Sequence, residues 1–371
     1  MQPHLIRRLY VRLTEHIDGT LLVIALAIMS FGLATIYSAT VYATDRSAAQ
    51  LVHLGVGLVV MWIAAQLPPQ KLMRFAVPLY VAGVLLLLLV WPLGLGVKVN
   101  GARRWLSLGF TRIQPAEILK VAMPLMLAWY FQQHEALLKL RHYAIAGLLL
   151  AVPFTLIAKQ PDLGTAILVG AAGFYVIFFA GLPWRIIIGI AAAGAAAAPF
   201  VWSLLLRDYQ RRRILTLLDP SADPLGSGYH IIQSTIAIGS GGPFGKGWLQ
   251  GTQTHLEFIP EGHTDFIFAV FSEERGLVGA CILLILYLAL IARGLVITAN
   301  ASTLFARVLG GSITLSFFTY AFVNMGMVSG ILPVVGVPLP FMSYGGTALV
   351  TLFVGIGILM SIQSHRMLVK Q

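Results

Sequence analysis

The residues best suited to chemistry lie between Phe258 and Gly276, where Glu261, His263, Asp265, Glu273, Glu274 and Arg275 crowd against the start of a long apolar run. Ionisable groups lose hydration at such a boundary, and they persist where pairing or function offsets the loss. Asp265 is flanked by other acids and bases, as a general base would be. An Asp just before an apolar run also suits a helix N-cap, so the residues alone leave both roles open. His263 beside it reads as a hydrogen-bond partner, a second acid/base or a metal ligand. Glu273 and Glu274 are structural if the apolar span begins at Gly276. They are intramembrane and functional if the helix enters the membrane at Asp265.

Three other stretches carry polar groups at apolar boundaries. Asn100-Gly-Ala-Arg-Arg-Trp holds Arg103 and Arg104 beside a strong turn signal, Asn100-Gly101, which predicts a small hairpin. Pro115 suits a first helical position. It places Glu117 and Lys120 three apart on one helical face, where they meet as an ion pair, either structural or part of a site. Lys159-Gln-Pro-Asp-Leu-Gly sets Lys159 and Asp162 at an interface. The run from Ser329 to Gly346, rich in proline and glycine, cannot continue a helix. At membrane depth such backbone is buried in protein or lines a cavity.

The elements that must position these groups are membrane helices. Of 371 residues 58% are hydrophobic and 11% charged, less than half the charge of an ordinary soluble domain. The net charge of +11 is spread between apolar runs with no basic tail, which argues against nucleic acid as a partner. The single cysteine, Cys281, can form no internal disulfide. The N-terminal run after Arg7, Arg8 and Arg12 is long for a signal peptide and lacks a small-residue cleavage site, so it reads as the first span.

Apolar runs of about 20 residues predict about ten spans, near 20–38, 51–67, 75–93, 115–133, 143–159, 164–182, 185–204, 266–292, 304–328 and 345–364. His53 interrupts the second, and Glu117 and Lys120 enter the fourth. An even count puts both termini on one side. Every short loop on that side is basic, which favours cytoplasmic termini and an extracytoplasmic Asp265. The long loop at 205–264 is too rich in isoleucine and aromatic residues to be disordered. Its glycine run from Gly239 fails the phosphate-loop pattern and reads as close-packed turns lying on the membrane surface. The Ala- and Gly-rich run from Gly189 to Pro199 predicts a close helix–helix contact.

Five motifs, in order over nearly the whole chain, resemble the SEDS family (shape, elongation, division and sporulation). They are Asn100-Gly-Ala-Arg-Arg-Trp, Gln114-Pro-Ala-Glu-Ile-Leu-Lys, Gln160-Pro-Asp-Leu-Gly-Thr-Ala, Gly262-His-Thr-Asp-Phe-Ile and Val337-Pro-Leu-Pro-Phe-Met-Ser-Tyr-Gly-Gly. Ala116 stands where that family often has serine. The run from Leu218 and the short N-terminus are similar to its elongation branch. The resemblance implies an all-α polytopic protein of the bacterial inner membrane that polymerises lipid II into glycan strands during lateral wall growth. It implies a class B penicillin-binding transpeptidase and other elongation-complex membrane proteins as partners.

That reaction displaces a lipid-linked diphosphate at an anomeric carbon, so one base and a set of cations suffice. The resemblance makes Asp265 the base. It places Arg103, Arg104, Glu117, Lys120, Lys159, Asp162, Glu261, His263 and Ser343 at the substrate. Arg103, Arg104, Lys120 and Lys159 are the candidates for the diphosphate, with a divalent cation (Mg²⁺ or Mn²⁺) as the alternative counter-charge. A helix N-terminus behind Asp265 is expected to keep it ionised. Two competing readings are a flippase for the same lipid and a scaffold that only recruits a transpeptidase.

Overall fold

The computed structural model describes residues 14–40, 44–90, 96–99, 102–107, 112–206, 208–223, 226–256 and 258–365. Arg7, Arg8, Arg12, Arg366, Lys370 and the Asn100-Gly101 turn fall outside them, as does the side chain of Arg103. The described chain is predominantly helical. Its helices are α1 (Gly19–Ala39), α2 (Thr44–Gln66), α3 (Pro69–Val90), α4 (Pro115–Gln133), α5 (Leu140–Lys159), α6 (Leu163–Phe179) and α7 (Trp184–Phe200). After them come three shorter helices, α8 (Asp208–Leu218), α9 (Ser227–Ser240) and α10 (Thr252–His255), then α11 (Ile267–Ala299), α12 (Leu304–Val328) and α13 (Gly346–Ser364).

Eight of these helices are long and apolar enough to cross a membrane, α7 counting with its extension to Leu204. Helix α6 is a shorter apolar helix of the kind that crosses with little margin. Helix α4 has 19 residues but carries Glu117 and Lys120 in its first turns.

Local signals set the helix ends. The Asp18 carboxylate accepts from the Leu21 N–H at 2.9 Å, Asp162 caps α6 through the Thr165 N–H, and the Thr303 hydroxyl caps α12. Pro115 occupies the first position of α4. Strand β1 (Val97–Val99) pairs antiparallel with β2 (Ala102–Ser107), Val99 opposite Ala102, so two strands flank the predicted turn; β2 continues to β3 (Arg112–Ile113). The core is shared by α4, α12 and α13, whose buried faces include Leu119, Phe131, Phe305, Leu309, Phe353 and Ile356.

The alternating helices sort the polar groups into two ends. At one end Arg293 pairs with Asp18, His16 stacks on His365 at 4.6 Å, and Gln132 accepts from the Phe305 N–H. The other end carries the strands, the long loop and every candidate site residue.

One expectation fails here. Helix α7 buries none of its side chains, so its small residues make no close contact with another of the described helices. Small residues permit close approach without supplying a partner. The glycine run at 241–247 forms close-packed turns, with Phe244 exposed. It inserts into α11, whose helical path breaks at Gly276 (φ +65). There the Lys246 and Gly247 N–H groups donate to the Glu273 and Glu274 carbonyls, and the Leu277 N–H donates to Gly242.

Candidate functional site

Asp265 precedes α11 and is half-buried. The cap position of α11 belongs to Phe266, with no side-chain cap, and no residue among those described donates to the Asp265 carboxylate. The N-cap reading therefore fails. So does the expected stabilisation of its charge: burial, reinforced by the Glu261 and Asp162 carboxylates, raises the Asp265 pKa from 3.8 to about 6. Desolvation and like charge outweigh whatever the helix terminus contributes.

The loop before it is built from Glu261, which sits at φ +53 and accepts the Thr264 and Phe266 N–H groups on its carbonyl. Its carboxylate accepts from the Thr264 hydroxyl at 2.8 Å. The ring of His263 makes its hydrogen bond to Arg46 and none to Asp265. Its Nε2 lies 2.9 Å from the Arg46 guanidinium, and its ring rests near Tyr344. Burial and the Arg46 charge push this imidazole below its ordinary value, so it is neutral and accepts from Arg46.

Across from this loop, Arg104 donates to the carbonyls of Gln160 and Pro161 and lies 3.9 Å from Asp162. Gln114 donates to the same Asp162 at 2.8 Å. The β2 strand, the α4 entry and the α5–α6 turn thus converge on one carboxylate. Lys159, at the end of α5, is exposed. Lys120 and Glu117 form a separate pair at 2.6 Å, with side chains only 7% and 11% exposed. Lys120 also lies over the Tyr320 ring, and Thr351 donates to Glu117. The Ser343 hydroxyl is buried and occupied by backbone: it accepts from the Leu339 N–H and donates to the Thr264 carbonyl.

An open groove of about 490 Å³ runs between α2, α4 and α13. His53, Gln114, Glu117 and Thr351 give it a polar side, and Val56, Ile118, Val121 and Val354 an apolar one. It suits a molecule with a long apolar tail and a charged head. Among the described residues no group of three or more His, Cys, Asp or Glu is arranged to hold a metal ion. Mg²⁺ carried on a diphosphate needs only one or two protein carboxylates, so this does not bear on the divalent-cation alternative.

Sequence reasoning missed several groups in this region. Arg46 follows a short polar stretch that offered no periodic signal. His230 on α9 stacks on Phe266 at 5.4 Å, and its pKa is lowered by burial. Asn324 lies inside an apolar run, where an isolated amide is itself the signal.

Residues 19–368 match the family described as cell cycle proteins, FtsW/RodA/SpoVE. The chain is 51% identical over 357 residues to the peptidoglycan glycosyltransferase MrdB of Escherichia coli K12, covering 96% of each. It is 35% identical over 362 residues to a probable peptidoglycan glycosyltransferase FtsW of Geobacter metallireducens, covering 95% of this chain and 96% of that one. Among solved structures it superposes on a chain from a peptidoglycan synthase complex that coordinates polymerization and crosslinking, with TM-score 0.81, 35% identity and coverage of 95% and 98%. It also superposes on the crystal structure of the Thermus thermophilus rod shape determining protein RodA, with TM-score 0.70, 30% identity and coverage of 94% and 97%.

Proposed function

The chain belongs to the FtsW/RodA/SpoVE family, and from that premise we propose that it is a peptidoglycan glycosyltransferase that polymerises lipid II. A sugar hydroxyl of one substrate attacks the anomeric carbon of the other as Asp265 takes its proton. The bond to the diphosphate breaks, and the undecaprenyl diphosphate leaves with the bonding electrons. The observation that carries this reading is the Asp265 carboxylate, which accepts from no donor among the described residues and is raised to about 6. It is ionised at neutral pH yet more basic than an ordinary carboxylate, as a general base should be.

Arg103, Arg104, Lys120 and Lys159 are the cations proposed for the diphosphate, with Asp162 orienting Arg104 and Glu117 orienting Lys120. His263 and Glu261 shape the loop under the acceptor sugar, and the groove between α2, α4 and α13 takes the polyprenyl chain. We assign the site end to the extracytoplasmic face of the bacterial inner membrane. With that assignment we propose ten crossings, cytoplasmic termini and an extracytoplasmic 205–264 segment. The solved relative within a synthase complex supports a class B penicillin-binding transpeptidase as partner. The flippase reading is disfavoured because the site's charges gather at one end and trace no path between the two. Purified protein, free of any classical glycosyltransferase domain, should polymerise lipid II, and Asp265→Asn should abolish the product while remaining folded. Polymer from Asp265→Asn at near wild-type rate ends the proposal.

A further inference from the structure

We infer that Asn324 is a positioning residue: together with Ser343 it clamps the backbone of Thr264 and Asp265 and so aims the Asp265 carboxylate at the substrate. The inference rests on reading Asp265 as the base.

Asn324 lies in α12 with no exposed surface. Its Nδ2 donates to the Asp265 carbonyl at 2.8 Å and to the Val337 carbonyl at 2.7 Å, which uses both amide hydrogens. The opposite amide orientation would set Oδ1 against two carbonyl oxygens, so the orientation is forced. Next in the chain, the Ser343 hydroxyl donates to the Thr264 carbonyl at 2.7 Å, and the Tyr344 N–H donates to the His263 carbonyl at 2.9 Å. Three successive carbonyls are thereby held by α12 and the segment before α13. The same segment touches the other end of the residue: a Cβ on Gly336, itself at φ +73, would lie 3.2 Å from Asp265 Oδ2.

A purely structural asparagine explains less. Among the described residues its Oδ1 meets no donor, so the packing is served by the two donors of Nδ2 alone. Leucine has nearly the same shape and would fill the same space in α12 with no polar atom to satisfy. What asparagine adds is two donors, and one of them ends on Asp265. Residues that hold a reacting group in place act through geometry, and a displacement of about 1 Å can cost on the order of 10²-fold in rate.

The test uses the full-length protein with lipid II, reading kcat, KM, the pH–rate profile and thermal stability. Asn324→Leu should lower kcat about 10- to 100-fold with KM unchanged. It should also move the acid limb of the profile from about 6 toward the ordinary carboxylate value, as the released carboxylate gains water. Ser343→Ala should lower kcat less, and Ser343→Thr, which keeps the hydroxyl, should restore it. Wild-type kcat per folded molecule with an unmoved limb overturns the inference, as does an effect on KM alone. Should Asn324→Leu fail to fold, the Ser343 pair decides: a kcat loss in Ser343→Ala that Ser343→Thr repairs supports the clamp, and any other pattern overturns it. Retained turnover in Asp265→Asn defeats the base reading itself. An inactive Asp265→Asn beside fully active Asn324→Leu and Ser343→Ala defeats the clamp alone.

Discussion

A carboxyl raised from 3.8 to about 6 behaves differently in catalysis and in folding. In catalysis only the ionised form accepts a proton, so polymerisation should rise as pH passes up through about 6 and then level off; a flat profile from pH 5 to 7 contradicts this. In folding the sign is opposite. The native state holds this proton more tightly than the unfolded state, so the contribution is favourable below about 3.8 and lost as pH rises through about 6. Above that pH the charge weakens the fold by at most about 3 kcal/mol. Asp265→Asn should therefore melt at the same or higher temperature than wild type at pH 7.5 while losing turnover; a lower melting temperature counts against the raised pKa. The Glu117–Lys120 pair calls for a gentler probe than charge reversal. Its burial means that Glu117→Lys would leave two cations unpaired and threaten the fold itself. Glu117→Gln keeps the shape and should weaken lipid II binding about 10-fold or more, read as KM, if the pair orients Lys120 on substrate. Asp265, Arg104 and Lys120 were legible in the sequence because charge at an apolar boundary stands out. The raised Asp265 pKa was not, since it comes from tertiary burial first and then from the Glu261 and Asp162 carboxylates, the second of them on a segment distant in sequence.

Helix α11 shows what an apolar run conceals. It spans 33 residues, about 50 Å if straight, against a hydrocarbon layer of about 30 Å. That excess was a sign of a break, but only the glycine loop's packing shows that it falls at Gly276. The question left open for Glu273 and Glu274 has a structural answer. Glu273 is fully buried and accepts from Lys246, the Gln253 and Thr254 N–H groups and two hydroxyls. Glu274 accepts from Ser38 and the Leu249 N–H. The two acids pin the loop before Asp265 to α11 and α1. Glu273→Gln should cost about 1.5–3 kcal/mol through its charged hydrogen bonds and expose the 246–256 segment to limited proteolysis. Gly245→Ala should be at least as damaging, because at φ +80 an added Cβ would lie 2.1 Å from the Glu274 carbonyl oxygen. Unchanged proteolysis in both variants would mean the segment is held by other contacts. The α7 expectation failed for the complementary reason: small residues describe a surface, and the sequence does not say what meets it.

At the scale of the molecule, the all-helical membrane class and the segregation of polar motifs were readable from hydropathy and loop charge. The meeting of strand, turn and loop around Asp162 and Asp265 depends on long-range packing that periodicity does not encode. The segregation itself has an electrical consequence. Arg104, Asp162, Asp265 and the Glu117–Lys120 pair all lie toward one end, so no step assigned to them carries charge through the membrane field. Moving one elementary charge across 100 mV changes its energy by about 2.3 kcal/mol, and a translocated diphosphate would feel that more than once. In proteoliposomes supplied with lipid II on the site side, the polymerisation rate should be the same with an imposed potential of either polarity as with none. A rate that tracks voltage would mean the protein drives its anionic substrate across the bilayer, coupling it to the cell's electrical gradient.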